Sequence, residues 1–391
     1  MGKLSFRNLR FSEEEKGVKV TFLEHFHFII PDEELLDIGK FRIEQHAIDF
    51  PDKRNPENKF GFLLEKHFRK LRSNAGKPAT YIHSASGIPL LGSNEFGIVD
   101  RATNMIELKP ITLCNIDCIY CSVNQSRREL DFVVEEEYLI EELEPIIALK
   151  ENLVNIHIGG QGEPTMYADL DKLVADLRAN KKVQDISIAT NGTMISVKRA
   201  DELIKAGLTH FHISLNAFSK DMADTISCRN YPLEQVKKAC EHIAKNAKLI
   251  IAPVYIPSIN DEEIEKLIEF SKSIRAPILI QNFLEYRFGR RPVNPLPMKV
   301  FFQKLDELGE KYGVDLTSLP EPIIVPDKAL GKPFRKGQVV TAEVVGKTRI
   351  KGSCLAVAEG RVITVPDCMR KGRIKVRIIR DKDSIFTGVI A

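Results

Sequence analysis

Six strand-like runs, each followed by a helical one, fill residues 105 to 313, and that alternation confines this part of the chain to a parallel α/β sheet. The strands read MIELKPIT, VNIHIGG, DISIATNG, HFHISLNA, KLIIAPVYIP and APILIQNF. Helical spacing follows in EEEYLIEELEPIIALK, ADLDKLVADLRAN, VKRADELIKAG, a helical pair ending with PLEQVKKACEHIAKN, DEEIEKLIEFSKSI and MKVFFQKLDELGEKYG. The pattern alone admits a doubly wound open sheet or a partial barrel. In either, functional groups belong at the C-terminal ends of the strands.

The first strand end carries Cys114, Cys118 and Cys121 in C-x3-C-x2-C spacing. Three thiolates this close along one loop can wrap a single iron-sulfur cluster. Four irons need four ligands, so one iron stays open to a small molecule. A zinc site would need a fourth Cys or His, and none follows within about twenty residues of Cys121. A metal-free buried trio is the remaining alternative. The second strand ends in Gly159-Gly160-Gln161-Gly162-Glu163-Pro164-Thr165, where missing side chains let a ligand approach the backbone. It lacks the following GK[ST] of a phosphate loop and the third glycine of a dinucleotide fingerprint. Strand three ends in Thr190-Asn191-Gly192 and strand four in Ser214-Leu215-Asn216, with Ser214 and Asn216 on one face by the period of two.

The C-x3-C-x-aromatic-C loop, with Tyr120 as the aromatic residue, resembles the cluster loop of radical S-adenosylmethionine (radical SAM) enzymes, and the Gly160, Gly162, Glu163 stretch resembles the same family's G-x-G-E-P motif. The resemblance implies a (βα)6 partial TIM barrel. It implies a 4Fe-4S cluster on the three cysteines and S-adenosyl-L-methionine chelated to the open iron, reduced by a donor such as a ferredoxin or flavodoxin. Cleavage of the sulfonium then yields a 5'-deoxyadenosyl radical, chemistry that belongs to the cofactor while the protein positions it. Carried over position by position, Gly160, Gly162 and Glu163 receive the amino group of S-adenosylmethionine. Thr190, Asn191, Ser214 and Asn216 meet its ribose and carboxylate, and residues 254 to 257 its adenine. Cys228 is a weak catalytic candidate, because some relatives use an extra cysteine, and Arg229 beside it faces the same rim. The polar stretch after strand six, with Gln281, Asn282, Glu285, Tyr286, Arg287, Arg290 and Arg291, is a candidate substrate surface.

Residues 1–100 form an N-terminal extension that carries no cysteine. VKVTFLEHF reads as a strand that would place His25 and His27 on one face, and FGFLLEKHFRKLR as a helix. Residues 101–316 hold the barrel, and residues 317–335, with four prolines, read as a linker. Residues 336–391 have short alternating strands broken by glycine and charged turns, which suggests a small OB-like β-barrel. From Arg335 to Ala391 there are 13 Lys and Arg against 5 Asp and Glu, so this tail carries 13 − 5 = +8 of a net charge of +3 and the rest 3 − 8 = −5. Such a module attracts a polyanion. The run from Val344 to Gly352 and the following GRVITVPDCMRKGRIKVRI are similar to the TRAM domain, an RNA-binding barrel. That resemblance implies phosphate contacts from Lys347, Arg349, Lys351, Arg370, Lys371 and Arg373.

Joined together, these readings lead to a radical SAM enzyme that modifies RNA, a tRNA nucleoside first of all. The alternative is a small metabolite, lipid or protein substrate, with the basic tail as a docking module. Relatives that carry both parts and insert sulfur use three further N-terminal cysteines; residues 1–113 have none, which disfavours methylthiotransfer. Seven cysteines, three of them in the cluster motif, suit a reducing cytoplasm. No apolar run reaches the length of a membrane span, so no membrane association is expected.

Overall fold

The computed structural model describes residues 2–318 and 324–391. Five parallel strands, β1 (Met105–Lys109), β2 (Val154–Ile158), β3 (Val183–Thr190), β4 (His210–Ile213) and β5 (Lys248–Ile251), neighbour one another in chain order. A doubly wound sheet reverses its strand order part-way, and this one does not, so the sheet winds in one sense as a partial barrel. The sixth step is short. Ile278 bridges Ile251 in parallel, and β6 (Gln281–Asn282) pairs with Val254–Tyr255. On the opposite edge Gly97–Asp100 runs antiparallel to β1.

The helices lie where periodicity places them: α1 (Glu136–Leu149), α2 (Leu170–Ala179), α3 (Val197–Ala206), α4 (Lys220–Ser227), α5 (Leu233–Asn246), α6 (Asp261–Ser273) and α7 (Met298–Tyr312). The ends of α3 show the local logic. Ser196 accepts a hydrogen bond from the Arg199 amide at its start, and Gly207 takes φ +118° at its end, a conformation a side chain would resist. Ile106, Leu108, Ile156, Ile158, Ile188 and Phe211 fill one face of the sheet as core. The other face is polar, because the register sets Glu107 beside His157, His157 beside Ser187 and Ser187 beside His210.

That polar face makes stability acid-sensitive. Ser187 donates its hydroxyl hydrogen to the Ile156 carbonyl, so its 2.9 Å contact with His157 is received from Nδ1–H. Burial lowers the pKa of His157, and burial beside His157 and His210 lowers that of His212 to about 3. The Nε2 of His212 has no hydrogen-bond partner. Below pH about 6.5 the unfolded chain takes up protons that the native rings refuse, so stability falls as pH drops through 6.5 and is level above 7. Melting temperatures measured between pH 7.5 and 5 should fall more steeply for the native chain than for His212→Gln. Equal slopes would sink this account.

The N-terminal region is an antiparallel sheet of Leu9–Glu14, Gly17–Phe22, Phe26–Ile30 and Arg72–Ser73, with Glu57–Phe68 as a helix beside it. The strand expected through His25 is broken. Leu23 and Glu24 adopt φ 45° and 63°, which turns the chain into a hairpin, and His27 lies opposite Thr21 on the return strand. His25 and His27 therefore do not share one continuous strand.

The C-terminal strands β7 (Val339–Lys347), β8 (Cys354–Ala358), β9 (Arg361–Val365), β10 (Gly372–Arg380) and β11 (Phe386–Ile390) close into a barrel in the order β7-β8-β9-β11-β10. Period-two alternation gives it two apolar surfaces. Ala356, Ile363, Val376 and Phe386 fill its interior, while Leu355 and Val362 join the core of the body. Val362 and Phe386 amides donate to Leu91 and Gly92 carbonyls, and Arg101 pairs with Asp383 at 3.0 Å. Part of the expected linker, residues 319–323, lies outside the described residues. Among the described residues no helix is long and apolar enough to cross a membrane.

Candidate active site

β1 delivers the chain directly into the cysteine loop, which is held down along its length. Asp117 and Ile119 amides donate to the carbonyls of Ser227 and Ile226 at the end of α4. Arg290 reaches over from the segment after β6. Its Nη1 donates to the Asp117 carbonyl at 2.8 Å and its Nη2 to the Asp117 carboxylate at 2.9 Å, while its amide donates to the Cys121 carbonyl. Tyr120 turns inward, and its hydroxyl accepts from Asn216 Nδ2 at 2.8 Å.

The three thiols influence one another. Burial pushes the Cys114 thiol up to about 12, and burial together with the nearby Cys114 and Cys121 holds Cys118 well above the usual thiol range. They are thus protonated until a metal replaces the proton. Among the described residues no three Cys, His, Asp or Glu side chains gather tightly enough for a single ion. A four-iron cluster asks for something wider, because each thiolate binds a different iron. One buried loop bearing three neighbouring thiols fits that demand.

The glycine loop after β2 presses against this loop. A Cβ on Gly162 would stand 2.6 Å from the Thr112 carbonyl carbon and 2.7 Å from the Leu113 oxygen, so only glycine permits the approach. Gly160 has φ +126° and is exposed, above the Lys109 side chain. Glu163 is 2% exposed. Its Oε1 accepts from the Thr165 amide at 3.0 Å and from the Thr165 and Thr190 hydroxyls at 2.6 Å, and its Oε2 from the Asn191 amide at 2.8 Å. The carboxylate therefore clamps the ends of β2 and β3 together. Glu163→Gln leaves a buried donor facing an NH2 group, a loss of about 1–3 kcal/mol. Urea denaturation should show that drop, and an unchanged midpoint would rule the clamp out.

Asn191 and Asn216 also make internal bonds. Asn191 Oδ1 accepts from the Thr193 amide and hydroxyl, and its Nδ2 donates to Asn115 in the cysteine loop at 2.9 Å. Asn216 Oδ1 accepts from the Val254 amide, which joins the ends of β4 and β5. Ser214 is half-buried, and its amide donates to the Thr190 carbonyl. Cys228 sits at the C-cap of α4 with φ 52°, exposed, and its Sγ accepts from Arg290 Nη1 at 3.4 Å. The structure thus brings Cys228 to the cysteine loop, whereas Arg229 beside it is exposed. Sequence reasoning gave no role to Asn115 and Asp117, which occupy variable positions of the cysteine motif, and did not single out Gln125 or Lys109, which lie outside any motif.

Arg349 requires a correction. As a phosphate contact it would have to be exposed, yet it is 2% exposed and inserted into the body. Nη1 donates to Gln161 Oε1 at 3.0 Å, and Nη2 to the Thr112 carbonyl at 3.1 Å and to Gln125 Oε1 at 3.0 Å. Its amide donates to Glu95, its carbonyl accepts from the Glu129 amide, and Asp131 lies 3.8 Å from Nη2. It therefore links the C-terminal barrel to both the cysteine loop and the glycine loop. Lys347, Lys351, Arg370, Lys371 and Arg373 are exposed. On β10, Arg373, Lys375 and Arg377 alternate with buried Ile374, Val376 and Ile378, so three cations share one outer face.

A family model described as the radical SAM superfamily matches residues 108–271. An uncharacterized protein of Methanocaldococcus jannaschii is 36% identical over 360 residues, covering 81% of this chain and 82% of that protein. The GTP 3',8-cyclase of Helicobacter pylori is 30% identical over 220 residues, covering 55% of this chain and 65% of its own length. Among solved structures, Streptococcus suis SuiB aligns at a TM-score of 0.45 and 14% identity, over 81% of this chain and 72% of that one.

Proposed function

The chain belongs to the radical SAM superfamily, and we propose that within it this protein modifies RNA, a tRNA nucleoside first of all. The protein is an enzyme of that superfamily and uses a 4Fe-4S cluster and S-adenosyl-L-methionine. Cys114, Cys118 and Cys121 would hold the cluster, and the exposed backbone at Gly160 and the half-buried Gly162, with Ser214, would meet the S-adenosylmethionine. When bound, these groups supply an electron and a 5'-deoxyadenosyl radical able to take hydrogen from carbon. The chain's own part is positional. Glu163 clamps the ends of β2 and β3, Asn191 and Asn216 fasten strand ends to the cysteine loop, and Arg290 holds that loop against α4. A ferredoxin or flavodoxin is the proposed electron donor.

The observation that carries the RNA reading is the closed C-terminal barrel with Arg373, Lys375 and Arg377 along one exposed face of β10. Successive outward side chains on a strand can follow a sugar-phosphate backbone. The same barrel is fixed beside the cysteine loop through Arg349. A TRAM-type role for it belongs to this proposal. A second reading, a free nucleotide substrate, has its own support, since the Helicobacter pylori relative is named for a reaction on GTP.

Nucleoside mass spectrometry on total tRNA and rRNA from cells with and without the gene tests the proposal. A modified nucleoside should vanish on deletion and return with the native gene but not with Cys118→Ala. Identical RNA fractions would overturn the RNA reading in favour of the free nucleotide.

A further inference from the structure

Between the partial barrel and the C-terminal barrel lies a cavity of about 680 Å3. One wall is Ser122 to Asn124, immediately after Cys121, together with Gly160 and Gln161. The segment from Tyr286 to Gly289 closes one side, and the C-terminal barrel supplies the opposite wall. The cavity thus opens onto the two loops where the cofactors belong.

Its electrostatics are one-sided. Lys109, Arg128 and Arg349 line it but have partners: Lys109 donates to Asn94, Arg128 pairs with Asp131 and Arg349 bridges the loops. Arg127, Arg287, Lys351 and Arg380 line it as well, all four exposed. Among the described residues none of these four has a carboxylate partner, and their side chains make no hydrogen bond there. Glu95 is the one carboxylate on the wall, and it is buried against the Arg349 amide. Four unpaired cations exceed what a single carboxylate ligand would need. Arginine forks suit phosphate oxygens, and Thr364 and Thr387 line the same space. Tyr286 and Phe288 add exposed aromatic rings at the rim, and Arg287 lies over the Phe288 ring at 5.1 Å. Aromatic faces of this kind stack nucleobases. The volume falls within the range of small-ligand sites and is far too small for a duplex.

We propose that this cleft is the substrate site and that it takes one phosphorylated nucleoside, its phosphate among Arg127, Arg287, Lys351 and Arg380 and its base against Tyr286 and Phe288. The proposal rests on the reading of the chain as a radical SAM enzyme acting on nucleotides. It goes further by making the C-terminal barrel a wall of the reaction site as well as a surface for RNA. The nucleoside can arrive free or as one unit of a single strand, and the chemistry of the cleft is the same for both.

The test uses cluster-loaded protein under anaerobic conditions with S-adenosylmethionine present. Binding of the four ribonucleoside 5'-monophosphates, the four unphosphorylated nucleosides and a single-stranded RNA hexamer is measured by calorimetry. At least one monophosphate should bind about tenfold or more tighter than its nucleoside, because one charge-assisted hydrogen bond to phosphate already corresponds to that ratio. Lys351→Glu and Arg380→Glu should each weaken that monophosphate about tenfold. Arg373→Glu with Lys375→Glu should weaken only the hexamer. Monophosphate binding that ignores both cleft substitutions, or no preference for phosphate, overturns the proposal. Hexamer binding lost with the β10 pair but indifferent to the cleft variants leaves the RNA reading standing and removes the cleft. Monophosphate binding through the cleft with no hexamer binding does the reverse.

Discussion

A chain carrying Cys118→Ser, loaded anaerobically with iron and sulfide, is expected to hold no stable four-iron cluster and to form no 5'-deoxyadenosine from S-adenosylmethionine. Cys118 is the most enclosed of the three thiols, with Cys114 and Cys121 close by and Tyr120 packed against it. A hydroxyl there replaces a soft thiolate by a poor iron ligand at the most buried of the three positions. Changes around a metal ligand already cost about 10–100-fold, so loss of the ligand should exceed that. Iron content, visible absorption and product formation measured together decide the matter. Cys228→Ser is the informative companion. Its thiol accepts a bond from Arg290 at the margin of the loop, so that variant should keep its iron. Equal iron loss in both variants would mean that the ligand set is wrong.

Arg349→Met should destabilise the whole chain by about 3 kcal/mol, the lower end of the range for breaking a buried ion pair, because Asp131 retains Arg128. The Thr112 carbonyl, Gln125 and Gln161 would each lose a donor in a dry site. Arg349→Lys should rescue little. One ammonium cannot reproduce a planar fork that serves three segments in different directions. Urea unfolding, with proteolysis of the residues preceding β7 as a second readout, separates loss of docking from loss of the barrel's own fold. A native midpoint in Arg349→Met would show that the barrel is held without it, by its apolar contacts, its bonds to Leu91 and Gly92 and the Arg101–Asp383 pair.

The contrast between these two positions shows what the sequence makes legible. The cysteine spacing, the glycine loop and the strand-helix alternation are local patterns, and local patterns survive in a one-dimensional reading. The cysteine loop and the parallel α/β sheet followed from them, whereas the winding of that sheet as a partial barrel was implied only by the family resemblance. Arg349 stands among charged neighbours, and nothing adjacent distinguishes it from Lys347 or Lys351. Its burial is set by Thr112, Gln125 and Gln161, more than 180 residues away in the chain. Glu163 was legible as a motif member, while its four bonds to Thr165, Thr190 and Asn191 required the strand ends to be brought together first. The hairpin at Leu23 and Glu24 was missed for a different reason. Neither residue favours the left-handed conformation, so no turn chemistry announced it.

Arg349, Leu355 and Val362 follow the cysteine loop by more than 220 residues, and that order bears on synthesis. Domains generally fold in the order in which they leave the ribosome. Thr112, Gln125 and Gln161 emerge well before Arg349, so the cysteine loop and the glycine loop leave the ribosome before the barrel that docks on them through it. Docking of the C-terminal barrel is then a late step, taken on loops that are already in place.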